Sequence, residues 1–193
     1  VTVARSESIT GPYEPCPHNP VMTHRQRGKN SAITGTGHAD LIETQNGEWW
    51  AVMLAMRPYG GYYYNLGRET FMAPVTWEDG WFYFSPDTGH IEHSYPVPDL
   101  PFHPMPKPPA CDNFETDTLD YVWNMLRTPR ETFWSLDERP GYLRLKLRPE
   151  RISEWVNPSF VGRRQQHMNF TARTVMDFVP QNEHESAGVV LLQ

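Results

Sequence analysis

The sequence predicts an all-β protein in two parts, and three observations carry that prediction. Aromatic residues make up 13% of the chain and 19 of its 193 residues are proline, a composition that suits short strands joined by turns. Four runs, residues 38–44, 49–56, 68–76 and 81–85, are rich in aromatic and branched side chains. Turn dipeptides separate the first pair (Asn46-Gly47) and the last pair (Asp79-Gly80), where a hairpin needs residues that tolerate a left-handed backbone.

Taken in order, residues 1–4 read as the end of a strand and Thr10-Gly11-Pro12-Tyr13-Glu14-Pro15 as a turn with an outer edge strand. Residues 15–34 hold three prolines, Gly28 and the basic cluster His24, Arg25, Arg27 and Lys29, which reads as a solvated surface loop. The four runs follow, with a longer connection opening at Tyr59-Gly60-Gly61. Four antiparallel strands in about 50 residues is the size of one propeller blade. Residues 86–111 read as a linker, because Pro96, Pro98, Pro101, Pro104, Pro106, Pro108 and Pro109 fix φ and remove backbone donors. The densest part, 96–110, divides a region 1–95 from a region 111–193.

In the second region, residues 119–127 have a helix-like pattern that Thr128-Pro129 ends early. Strands are expected at 134–136, 142–147, 173–178 and 187–193; in the second of these, Leu143, Leu145 and Leu147 alternate with Arg144 and Lys146. The chain starts without Met inside a strand-like run and stops on an apolar strand with no following turn. Both features are read as truncation.

The net charge of −6 disfavours a nucleic-acid partner, which needs a basic face. No apolar run approaches the roughly 18 residues of a membrane span. Cys16 and Cys111 read as free thiols, with neither metal spacing nor a disulfide framework. His90-Ile91-Glu92-His93 sets two imidazoles close together, but zinc ligands at that spacing need a helix, which the surrounding prolines deny. There is neither a phosphate loop nor a Gly-x-Ser-x-Gly turn.

Sugar-linkage hydrolysis requires two carboxyl groups, one acid and one base or nucleophile. Asp40, Glu43, Glu48, Glu69, Glu78 and Asp79 are the candidates. Glu48, Glu78 and Asp79 sit at turns, and Asp40 and Glu43 have opposite strand parity, so no pair emerges. His38 follows Gly35-Thr36-Gly37 and can reach a pocket floor or serve as a satisfied structural histidine. Arg68, after Leu66-Gly67, offers a donor fork to sugar hydroxyls or an internal salt bridge to Asp40 or Glu43.

Several motifs extend this reading. Gly11-Pro12-Tyr13-Glu14-Pro15-Cys16-Pro17-His18-Asn19-Pro20, Gly37-His38-Ala39-Asp40 and Leu66-Gly67-Arg68-Glu69-Thr70-Phe71 resemble the last part of the catalytic domain of family 43 glycoside hydrolases. Asn124-Met125-Leu126-Arg127-Thr128-Pro129, Arg139-Pro140-Gly141-Tyr142-Leu143-Arg144-Leu145 and Val161-Gly162-Arg163-Arg164-Gln165 resemble the start of the β-sandwich appended to them. That family contains β-xylosidases and α-L-arabinofuranosidases. The resemblance implies the last blade or blades of a five-bladed β-propeller, then part of a lectin-like, concanavalin A-like sandwich. It implies an inverting exo-glycosidase acting on xylo- or arabino-oligosaccharides, with an aspartate base, a glutamate acid and an orienting aspartate all upstream of Val1. His38 matches the pocket-floor histidine and Arg68 the arginine near the sugar subsite, both expected to converge on one cavity. No cofactor is required. A structural calcium is implied near Asp112, and a homo-oligomer for the full-length parent. The alternative reading is a non-catalytic carbohydrate-binding sandwich.

Overall fold

The structure, a computed structural model, describes residues 1–192. The chain divides into two compact units, Val1–His103 and Pro104–Gln193. As expected, the fold is all-β: the helical content of the described residues is one 3-10 turn, Arg25–Arg27.

In the first unit, β1 (Ala4–Arg5) pairs antiparallel with β2 (Glu14–Pro15). The main sheet is a meander of β3 (Thr34–Glu43), β4 (Trp49–Met56), β5 (Glu69–Glu78) and β6 (Trp81–Phe84), in that spatial order. The expected runs therefore all form, with slightly different ends. Asp79 and Gly80 join β5 to β6 with φ of 51° and 75°, the pair of left-handed residues that a two-residue hairpin turn demands. Arg5 braces this corner, donating to the Asp79 carbonyl at 2.9 Å and lying 4.2 Å from the Trp81 ring.

Alternation in β4 sorts its side chains. Ala51, Met53 and Ala55 join Ala73 and Val75 of β5, Phe84, Met22, Ile33 and Ile91 in one buried cluster. Trp50 points to the other face, where Tyr95 meets it edge-on at 6.4 Å. A strand covered on both faces reads as continuously apolar, as residues 49–56 do.

Two loop expectations are corrected. Residues 15–34 are not a purely solvated loop, because Cys16, Met22, His24 and Ile33 are buried while Arg25, Arg27 and Lys29 are exposed. The sheet needs a cover, and the apolar residues on this strap supply it. Residues 86–95 are likewise no spacer. Ile91 is buried, and the Tyr95 hydroxyl meets Ser85 Oγ at 2.7 Å.

The second unit departs further from expectation. Residues 119–127 form no helix and instead carry β7 (Trp123–Met125). Of residues 134–136 and 142–147, only β8 (Trp134–Ser135) and β9 (Arg144–Leu145) form, paired with each other. β10 (Val161–Arg163) pairs with β7. Residues 173–178 and 187–192 form no strand, and position 193 of the last expected strand lies outside the described residues. Period-2 patterning marks a face, but a strand also needs a neighbour in register. The packing centre here is Phe133, 1% exposed, with the Arg148 guanidinium 4.7 Å from its ring.

Candidate functional site

β3 and β5 run parallel to each other on either side of β4, so their first residues lie at the same end of the sheet. β3 is irregular there: its register with β4 shifts between Thr34 and Gly37 and again between Gly37 and Asp40. His38 sits in the second irregularity with φ of 53°. The left-handed backbone is thus taken by Gly35 (φ 64°) and by His38 itself, and Gly37 has no positive φ. A bulge re-aims a side chain that regular alternation would fix, and His38 is exposed.

Arg68 immediately precedes β5, after Gly67 with φ of 68°. By register it stands level with Met56 and Thr34, while His38 stands level with Met53. The two backbones are therefore about 10 Å apart across the sheet and about 10 Å along it. Arg68 is exposed. Among the described residues no hydrogen bond or ion pair joins it to His38, nor to Asp40 or Glu43, the partners that a structural role would use. Neither side chain lines the cleft of about 360 Å³ in this unit, whose walls include Trp50, Arg57, Thr70, Met72, His93 and Tyr95.

The remaining carboxylates have structural partners or none. Glu48 accepts from the Asp99 amide at 3.0 Å. Asp40 and Glu43 are exposed on opposite faces, as their registers with Val52 and Trp49 require. Glu69 is held by Arg57: Nε donates to Oε2 at 2.9 Å and Nη2 to Oε1 at 2.7 Å. The hydrogen bond from Arg57 holds the Glu69 carboxyl below the ordinary carboxylate range, against its partial burial. The same bond raises Arg57.

His24 is the titratable residue that the sequence reading misplaced. It is 5% exposed. The Ile91 amide donates to its Nε2 at 2.9 Å, and its Nδ1 lies 2.8 Å from the Ile33 carbonyl. Nε2 must accept, so the ring is neutral with its proton on Nδ1. Burial is the chief cause that lowers its pKa. The flanking Val21-Met22 and the downstream Ile33 were the available signal that this stretch dips inward.

Asp112 spends both oxygens locally, Oδ1 on the Phe114 amide at 2.8 Å and Oδ2 on the Trp123 indole N–H at 2.6 Å. Calcium takes six to eight oxygens, and among the described residues no group of three His, Cys, Asp or Glu gathers to hold a metal. Asp112 would supply at most one member of such a set.

Comparison with known proteins gives the two segments their context. The family described as "Glycosyl hydrolases family 43" matches residues 1–82, and "Beta xylosidase C-terminal Concanavalin A-like domain" matches residues 111–193. The chain belongs to glycosyl hydrolase family 43. Within that family it is 44% identical over 190 residues to a non-reducing end α-L-arabinofuranosidase of Bacteroides ovatus, covering 98% of the chain and 36% of that protein. It is 42% identical over 196 residues to a xylosidase/arabinosidase of Butyrivibrio fibrisolvens, covering 100% of the chain and 38% of that protein. The crystal structure of a xylan β-1,4-xylosidase of Bacillus halodurans superposes with a TM-score of 0.80 at 43% identity, over 86% of the chain and 32% of the other. The chain thus spans about a third of the length of these family 43 relatives. His38 and Arg68 both fall inside the segment matched to the catalytic family.

Proposed function

We propose that this chain is part of an inverting exo-glycosidase that removes terminal xylose or arabinose from xylan- or arabinoxylan-derived oligosaccharides. The carrying observation is the tandem match: a family 43 segment followed, in the same chain, by the β-xylosidase C-terminal domain. In this reading, hydrolysis is a single displacement, with one carboxylic acid protonating the leaving oxygen and a carboxylate activating water. The acid and base are not assigned to any residue of this chain, which spans about a third of the length of its family 43 relatives.

His38 and Arg68 are assigned to the sugar. Their exposure, and the absence of internal partners among the described residues, support that assignment. Arg68 offers a planar fork of donors that suits adjacent hydroxyls. A non-glycine residue in the left-handed region, as at His38, is the kind of strain that persists at functional sites.

The test has two arms. The 193-residue chain is expected to hydrolyse neither nitrophenyl xyloside nor nitrophenyl arabinofuranoside above background. A longer chain carrying the preceding blades is expected to turn over at least one. In that longer chain, Arg68→Ala should reduce kcat/KM by about 10- to 100-fold, the effect of losing a hydrogen bond to a charged group. Turnover by the short chain, or full activity of Arg68→Ala, defeats the proposal.

The second reading, a non-catalytic carbohydrate-binding sandwich, draws on Tyr121 and Trp155, which stand exposed in the 104–193 unit. Saturable binding of xylo-oligosaccharides that survives Arg68→Ala and is lost in Trp155→Ala would favour it.

A further inference from the structure

The connection from β4 to β5 spans residues 57–68 and delivers Arg68. Its ends are joined to each other. Arg57 is the first residue past β4 and Glu69 opens β5, and they meet through the two short hydrogen bonds already described, with a third contact from Nε to Oε1 at 3.2 Å. Parallel donation from a guanidinium to a carboxylate fixes relative orientation as well as distance, which a lysine point charge does not. The two side chains are 31% and 24% exposed, so water competes for them less than at an open surface.

Within this ring the backbone closes on itself. Tyr59 and Tyr63 exchange amide-to-carbonyl bonds of 2.8 and 3.3 Å, and the Gly67 amide donates to the Tyr64 carbonyl at 2.8 Å. The connection is held at its ends by the ion pair and in its middle by these bonds, while the Arg68 side chain is left with no partner among the described residues. Arg68 and Glu69 are consecutive, and side chains of consecutive strand residues leave opposite faces. Anchoring the Glu69 carboxylate therefore sets the direction in which the next-door guanidinium leaves the backbone.

We propose that the Arg57–Glu69 pair is a positioning device for Arg68, holding its guanidinium in the orientation that receives the hydroxyls of a pentose. The assignment rests on the sugar-binding reading of Arg68 given above. A binding group must sit within about 0.5 Å and 10–20° of its working geometry, and the ion pair adds a side-chain tie beside the Ala55–Glu69 ladder pairing that closes the connection.

The experiment separates the tie from the activity. In the 193-residue chain, amide hydrogen exchange is measured at Tyr59, Tyr63 and Gly67 for wild type, Glu69→Gln, Arg57→Lys and the swap Arg57→Glu with Glu69→Arg. Exchange should quicken by about tenfold in the single variants and return toward wild type in the swap. Ladder amides of β4 and β5 should be unchanged, which distinguishes a loosened connection from a failed fold. In the longer chain, Glu69→Gln should raise KM with a smaller change in kcat and leave the unfolding midpoint close to wild type. Unchanged exchange overturns the inference. So does turnover by the longer chain with an unaltered KM in Glu69→Gln. Absence of turnover in the wild-type longer chain overturns the functional reading, and the sugar role of the pair with it.

Discussion

Replacing His24 with leucine removes one of the few polar side chains buried in the blade, and its consequence is calculable. The Ile91 amide would lose its acceptor at 2.9 Å, and an orphaned buried donor costs about 1–3 kcal/mol. The Ile33 carbonyl would suffer less, because Ser31 Oγ also donates to it at 2.5 Å. The apolar replacement recovers part of the loss, so about 2 kcal/mol of destabilisation is expected near pH 8. The pH dependence is the sharper test. The folded pKa lies below the free value of 6.5 because burial, opposed by the bond to Ile33, outweighs all else, with Arg27 and the facing His90 adding repulsion. The unfolded chain then binds the extra proton first, so stability is fully present above 6.5 and falls as the pH drops from there toward the folded pKa. The slope reaches about 1.4 kcal/mol per pH unit at most. Urea denaturation of wild type and His24→Leu, followed by NMR signals of the blade between about pH 8 and pH 5, should show the two converging on acidification. A gap that stays constant across that range would refute the neutral, doubly bonded ring.

Three further outcomes are expected. His38→Gly should unfold no earlier than wild type in urea, since glycine relieves about 1 kcal/mol of left-handed strain, yet it should lower kcat/KM in the longer chain; a stability loss would mean that the imidazole has a packing role. Gly35→Ala should destabilise the blade by about 1–2 kcal/mol because φ is 64° there. Its Cβ would also fall 2.5 Å from Met56 Cε, so Met56→Ala should rescue only the steric part, as read by urea midpoints. Phe133→Ala, at a site 1% exposed and stacked by Arg148, should cost the second unit about 3–5 kcal/mol, seen as loss of the β8 and β9 amide signals at a urea concentration that wild type tolerates.

The blade was legible because several local signals agree. Asp79-Gly80 takes the left-handed turn that its composition requires, and the apolar run 49–56 is the strand covered on both sides. Agreement between turn chemistry and side-chain period is what makes a local reading safe. In the second unit the same rules over-reached. Leu143, Leu145 and Leu147 alternate, but Leu145 and Leu147 stay 41% and 50% exposed and only residues 144–145 pair. Alternation reports what a strand would do if a neighbour were present, and pairing is a non-local fact. At the site, His38 and Arg68 were legible as residue types beside glycines. The Arg57–Glu69 tie was not, because nothing in a chain of eleven intervening positions announces that its ends meet. His24 was misread because three exposed cations around it dominate the local composition.

The latch between Ser85 and Tyr95 carries a practical lesson for anyone preparing shorter versions of the protein. A product terminated just after β6 would strip the indole of Trp50 of its lid and empty the seat of Ile91, baring a greasy surface that invites precipitation. Residues 101–110 are all exposed, and that proline-dense stretch is where a protease or a stop codon would do the least harm.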